Sequence, residues 1–250
     1  MSKEKQASQA ILRPAIPKLS SDETPCAACE VRQLAVCGAL TPDELEPFGG
    51  GMATISLSAG APLIDEGEDD THIYSITSGS LKCFKLLPDG RRQVTGFLFP
   101  GDFLGLTKSD TYINSVEAIT NVTLCRMSRK DLNKYADSIS NLDRRLHEMA
   151  SEALADVQDQ ILMLGRKTSE ERVATFLLSL SRRAGERGGP TNPVEIPMSR
   201  DDIGDFLGLT TETVSRTFSR LRKRELIGQD KERKTEILDF ETLREISEGF

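Results

Sequence analysis

The spacing of hydrophobic residues changes period along the chain, and each change predicts a different kind of element. Residues 1–22 are polar and without repeat, which predicts a mobile tail. From about 48 to 128, short stretches alternate apolar and polar residues, at 54–57, 73–76, 81–86, 94–99, 115–119 and 122–127, with glycines between them. Successive strand side chains point to opposite faces, so this pattern predicts short strands joined by tight turns, an antiparallel β-roll or barrel. In the last stretch Cys125 falls in step with Thr123 and Met127 and opposite to Val122 and Leu124.

From 128 to 165 the period becomes helical. Leu132, Tyr135, Ile139, Leu142, Leu146, Met149 and Ala153 follow an alternating three-four spacing, the seam of a coiled coil. A helix of ~35 residues outruns the face of one domain, so the seam predicts a contact between two copies of the chain, the alternative being a core helix lying on the β-domain. Continuing the spacing puts Asp156 on the seam, whereas Leu154, Val157, Ile161 and Leu164 offer a slightly rotated apolar one. Two Asp156 carboxylates meeting across the two-fold axis would repel, and partial desolvation sharpens that cost, which predicts a bistable helix pair.

A second amphipathic helix over 170–183 runs into a Gly- and Pro-containing loop, 184–193. Ser199 is placed to cap a helix carrying Ile203 and Leu207, Gly208-Leu209-Thr210 makes a turn, and Thr211 opens a helix whose apolar face is Val214, Phe218 and Leu221. This is the pattern of a helix-turn-helix. Segments 226–229 and 235–240 flank a charged turn, as in the hairpin of a winged variant. The exposed face of the second helix carries Glu212, Ser215 and Arg216 near its start, the end that enters a major groove. Arg can bond O6 and N7 of guanine together, and Glu can accept from N4 of cytosine; Arg222 and Lys223 follow as phosphate contacts. A solvated Glu212–Arg216 pair explains the same spacing. The predicted class is α+β: a tail at 1–22, a cysteine loop and β-roll domain at 23–128, a coiled-coil dimerisation helix at 129–166 and a winged helix-turn-helix at 167–250.

Composition narrows the function classes. The 250 residues are 38% hydrophobic and 28% charged, with a net charge of −7, an ordinary soluble balance. The overall charge does not suggest nucleic acid as a partner, but residues 214–234 carry eight basic against three acidic side chains, a local patch suited to a phosphate backbone. No apolar run approaches the ~20 residues needed to span a bilayer, and the first 18 residues lack a signal-peptide core, so no membrane partner and a cytoplasmic location are expected. The only histidines, His72 and His147, lie in no motif pairing a base with a nucleophile, and Gly49 to Gly51 lacks the Lys and Ser/Thr of a phosphate loop. An enzyme is not expected.

Five cysteines, an odd number, fit a reducing compartment in which thiols are ligands or packing. Cys26, Cys29 and Cys37 form a C-x-x-C-x7-C run, and Cys125 lies far downstream. Three close thiols completed by a fourth suit either Zn(II) or an iron–sulfur cluster, and spacing does not choose between them. Cys125, and still more Cys83, also fit as small buried apolar residues.

The string IGDFLGLTTETVSR from Ile203, the phrases IYSITSGSLK and TGFLFPGDFLG, the long helix and the N-terminal cysteines together resemble the FNR branch of the CRP/FNR transcription regulators over roughly residues 26 to 245. The resemblance implies a [4Fe-4S] cluster on Cys26, Cys29, Cys37 and Cys125, with Cys83 left out, and DNA binding as a homodimer in the absence of oxygen. It implies base reading by Glu212, Ser215 and Arg216 in an E-x-x-S-R pattern, at an inverted repeat like TTGAT-N4-ATCAA. It also implies a contact between RNA polymerase and the turn at 88–92. The seven-residue gap before the third cysteine resembles the FixK- and FnrL-like subgroup. An acidic residue of the family falls beside Asp156, at Val157, in an ungapped match. Related regulators hold a cyclic nucleotide through Glu in F-G-E and Arg in R-S. Here Phe103-Leu104-Gly105-Leu106-Thr107 and Asn114-Ser115 supply neither charge, so no cyclic nucleotide is expected. Structural zinc or a nitric-oxide-responsive cluster are the alternatives.

Overall fold

The computed structural model of the chain describes residues 26, 29–107, 109–230 and 234–249. The expected tail at 1–22 lies outside them, as do Lys231, Glu232 and Arg233 of the basic patch. A single 3₁₀ turn at Val36–Ala39 leads to α1 (Pro42–Gly50), where Thr41 N–H donates to Glu44 (2.9 Å) in a capping box. The alternation pattern does not reveal α1, although Thr-x-x-Glu at its start is a helix signal.

Eight strands follow: β1 (Ala53–Leu57), β2 (Pro62–Ile64), β3 (His72–Ser78), β4 (Leu81–Leu86), β5 (Arg92–Leu98), β6 (Phe103–Leu104), β7 (Ser115–Ala118) and β8 (Val122–Ser128). They form two four-stranded antiparallel sheets, ordered β1-β8-β3-β6 and β2-β7-β4-β5. Inward residues Ile55, Ile64, Ile76, Leu81, Cys83, Val116 and Leu124 share one core. Cys83 is therefore a buried packing residue, and its burial, reinforced by Asp102, pushes the thiol up to about 12. Cys125, next to fully buried Leu124, turns to the opposite face of β8.

The helix expected over 129–166 is two helices, α2 (Arg129–Ser138) and α3 (Ser140–Arg166). Ile139 between them is extended (φ −121, ψ 97), yet its N–H still reaches Tyr135 O, so the three-four spacing continues across a bend that spacing alone does not reveal. The apolar residues nearest the bend face their own chain. Leu132, Leu142 and Met149 are buried with Cys26, Val36, Leu40, Leu45 and Phe48, and Tyr135, Ile139 and Leu146 pack on that cluster. The expected seam residues Leu142 and Met149 are thus taken up within the subunit. Beyond them every residue from Ala150 to Asp159 is exposed, and Leu154, Val157 and Ile161 are 60%, 52% and 66% exposed.

The C-terminal part comprises α4 (Ser169–Glu186), α5 (Arg200–Leu207), α6 (Thr211–Lys223), a hairpin of β9 (Ile227–Gln229) and β10 (Thr235–Ile237), and α7 (Phe240–Glu248). Gly208 ends α5 at φ +63, a left-handed conformation that costs glycine nothing, and it turns the chain into α6. Val94 and Phe97 of β5 join the core of this part, with the Phe97 ring 5.0 Å from that of Phe206.

Charge pairs lock the same contact. Lys82 Nζ stands 2.9 Å from both Asp202 and Glu117, and Arg92 donates to Asp202 (2.8 Å) and Asp205 (2.7 Å). Burial alone would raise the Asp202 carboxyl, but hydrogen bonds from Lys82 and Ser199 and the charges of Lys82 and Arg92 outweigh it and hold the pKa below normal. That stabilisation is present above the ordinary Asp range and is lost as pH falls through it. Asp202→Ala should destabilise the protein by roughly 3 kcal/mol, the low end for breaking a buried pair, because Glu117 still faces Lys82. Denaturant unfolding of the two proteins checks this.

Candidate metal centre and nucleic-acid interface

Cys26, Cys29, Cys37 and Cys125 line one cavity of about 270 Å³ on the outer face of the β1-β8-β3 sheet. Strand register builds its floor: Cys125 lies opposite Thr54 of β1 and Ser75 of β3, and Thr77 and Thr123 complete it. The wall is a turn in which Arg32 N–H donates to Cys29 O, and Leu34 and Ala35 N–H both donate to Val31 O. Leu34 presses so closely on Gly101 (φ +94) that a Cβ there would stand 2.7 Å from Leu34 Cβ, which excludes any other residue at 101. On the other side Arg145 of α3 donates to Leu34 O (3.1 Å). The cysteine turn is thereby held between the β-roll and α3.

Cys26, Cys37 and Cys125 sit where burial disfavours the charged thiolate. Burial, then the neighbouring Cys26, Cys125 and Cys29, pushes Cys37 up to about 12, and burial with Cys26 and Cys29 pushes Cys125 to about 11. Cys26 is also raised, by burial and then Cys29, with Arg32 pulling the other way. Arg32 donates to Leu40 O (3.0 Å), while its Nε is buried without a partner among the described residues. No three described His, Cys, Asp or Glu side chains converge closely enough to hold a metal ion as they stand; the thiols surround a space. A metal group must displace their protons, so its uptake should tighten as pH rises from 6.5 to 8.5 and weaken in acid. Apparent affinity measured by chelator competition across that range checks the sign.

The second site is α6. Thr210 caps it by accepting from Thr213 N–H, and Val214, Thr217, Phe218 and Leu221 are buried. Thr211, Glu212, Ser215, Arg216, Arg222 and Lys223 are all exposed. The Thr211 hydroxyl is held by the Asp201 carboxylate of α5, which makes it a tie between the two helices. Arg220 and Arg224, though exposed, both pair with Glu170 of α4. Arg216, Arg222 and Lys223 make no ion pair among the described residues.

Sequence reasoning missed Arg200. Its guanidinium lies 3.5 Å from the Phe218 ring centroid in a hollow shared with Arg222, Gly228, Gln229 and Thr235. Burial and then the nearby Arg222 lower its pKa. Two guanidinium groups facing one hollow, with no carboxylate among its described lining, suit an anion such as a backbone phosphate. The signal was its place directly after the Ser199 cap, at the start of the first helix of the pair.

A Crp-like helix-turn-helix domain model matches residues 171–246, and a cyclic nucleotide-binding domain model matches residues 54–138. The chain is 37% identical over 212 residues to the nitrogen fixation regulation protein FixK of Bradyrhizobium diazoefficiens, covering 85% of this chain and 90% of that protein. It is 39% identical over 218 residues to the transcriptional activatory protein AadR of Rhodopseudomonas palustris, with 85% and 91% covered. The solved structure of FixK2 from Bradyrhizobium japonicum matches with a TM-score of 0.73 at 35% identity, covering 78% of this chain and 96% of that one. The α+β architecture of β-roll, long helix and C-terminal helix-turn-helix is borne out. No helix among the described residues is long and apolar enough to cross a membrane.

Proposed function

The chain belongs to the CRP/FNR family of DNA-binding transcription regulators, which are not enzymes, and from that premise we propose that it senses oxygen through a [4Fe-4S] cluster on Cys26, Cys29, Cys37 and Cys125. The observation that carries this reading is the convergence of four thiols from two remote segments on one cavity. A single zinc ion needs its sulfurs about 3.8 Å apart, from tetrahedral bonds of ~2.3 Å. A cluster gives each thiolate its own iron and so suits thiols ringed around a space. When bound, it supplies an inorganic core that oxygen degrades.

The protein's own part is mechanical. Cys125 is fixed on β8, while Cys26, Cys29 and Cys37 belong to the turn that Arg145 and the apolar residues of α3 grip. Ligation ties that turn to the β-roll, and its loss frees one support of α3. The exposed Leu154, Val157 and Ile161 are the homodimer seam, so cluster state is passed to dimerisation and through it to DNA. The regulator reads an inverted repeat like TTGAT-N4-ATCAA, and the turn at 88–92 meets RNA polymerase. The match to a cyclic nucleotide-binding domain concerns the fold. Leu106 and Asn114 stand where such a site resembles Glu and Arg, and Asn114 accepts from Thr95, so the chain takes no cyclic nucleotide.

Iron, inorganic sulfide and zinc content after purification without oxygen tests the cofactor: the reading requires about four iron and four sulfide per chain, and stoichiometric zinc would overturn it. At the other end of the molecule, Arg216→Ala should lose about 1–3 kcal/mol of operator binding and relax preference at the guanine. Arg222→Ala or Lys223→Ala should weaken all sequences alike and reduce the salt slope by about one. Binding isotherms on base-substituted operators at several salt concentrations separate the two roles.

A further inference from the structure

Resting on the cluster reading above, we propose that Arg32 positions and tunes the bound group: its Nε–H donates to a sulfur of the cluster or its thiolates, and its guanidinium is their countercharge. The cavity is lined by thiols, hydroxyls and apolar side chains, with Glu30 and Arg32 the charged residues among its described lining. Glu30 is exposed, whereas Arg32 is half-buried and its Nε wholly so. A cluster bound by four thiolates is an anion, and an anion taken into a partly buried cavity is costly unless a cation or donor meets it. Among the described lining residues Arg32 is the cation positioned to offset it.

Geometry fixes the guanidinium there. The turn following Cys29 places Arg32, and the bond from Nη2 to Leu40 O (3.0 Å) holds one edge of the fork. That leaves Nε as a buried donor with no acceptor among the described residues, a costly arrangement unless something accepts from it. Sulfur of a bound group meets that need. Arg32 lines the same cavity as Cys26, Cys29, Cys37 and Cys125, which places its charge close to the ligand set. Hydrogen bonds to the sulfurs and local charge are among the factors that set a cluster's potential. A cationic donor favours the more negative, reduced form, so Arg32 raises the potential of the bound group.

The test is a redox titration of the full-length protein reconstituted without oxygen, as wild type, Arg32→Lys and Arg32→Met, with thermal unfolding of each protein before reconstitution. Arg32→Met should lower the potential enough to change the reduced-to-oxidised ratio at fixed poise at least tenfold, about 59 mV for a one-electron couple. Arg32→Lys, which keeps the charge without the Nε donor, should fall between. Failure of folded Arg32→Met to retain a cluster that Arg32→Lys retains also supports the countercharge role. Unchanged potentials accompanied by lower thermal stability would reduce Arg32 to a brace for Leu40 and overturn the inference while leaving the cluster reading intact. A wild type that takes up no iron and sulfide would overturn the cluster reading, and this inference with it.

Discussion

Serine at any one of Cys26, Cys29, Cys37 or Cys125 is expected to abolish cluster retention and, in the absence of oxygen, to lower operator affinity by roughly a thousandfold or more, toward non-specific binding. Thiolate ligands act as a set, because an iron left uncapped is open to solvent and to loss. The cavity gives each cysteine a place in that set: Cys125 on the sheet floor, the other three in the turn above it. Cys83→Ser should keep the cluster and its DNA binding, since Cys83 packs inside the β-roll with Ile76, Leu81 and Leu124. Its buried hydroxyl should cost roughly 1–3 kcal/mol of stability. Iron content and operator binding of the five single variants decide the matter. Cluster loss in Cys83→Ser with retention in Cys125→Ser would reverse the assignment of the fourth ligand.

Ile161→Glu should weaken dimerisation a hundredfold or more. Two copies of a side chain 66% exposed in the subunit leave the seam, and burial of each contributes about 1.5–3 kcal/mol. Asp156→Ala should act in the opposite sense. Asp156 is exposed beside Val157; in the proposed dimer the two carboxylates would repel near the axis, so their removal should favour the dimer and DNA binding in air. Sedimentation at matched concentrations, with and without oxygen, measures both. The two variants shift one equilibrium in opposite directions, so a monomeric Asp156→Ala protein in air would remove the electrostatic half of the account.

The β-roll is legible in the sequence because alternation is a local property. Strands at 54–57, 73–76, 81–86 and 122–127 match β1, β3, β4 and β8 to within a few residues, and the outward phase of Cys125 follows from the same alternation. Strands β2 and β6 escape because three and two residues are too short to show a period. The bend at Ile139 escapes for a different reason. Apolar residues keep their spacing on both sides of it, so the pattern fits one helix while the partners differ: the chain's own core at Leu142 and Met149, open solvent at Val157 and Ile161. The capping boxes and the helix-turn-helix depend on neighbours in sequence and can be read there. The Lys82–Asp202 pair spans 120 positions, and nothing local in either segment announces it. The same holds for the hollow shared by Arg200 and Arg222, which only the folded pair of helices creates.

The central claim is that the cluster governs DNA binding through dimerisation. Its most direct test is one preparation measured twice, without oxygen and again after air has removed the cluster, by sedimentation and operator binding at the same protein concentration. The account predicts a dimer that binds the inverted repeat before exposure, and a monomer that binds it only weakly afterwards. A protein that stays dimeric and holds the operator with undiminished affinity after its iron and sulfide are gone would contradict it.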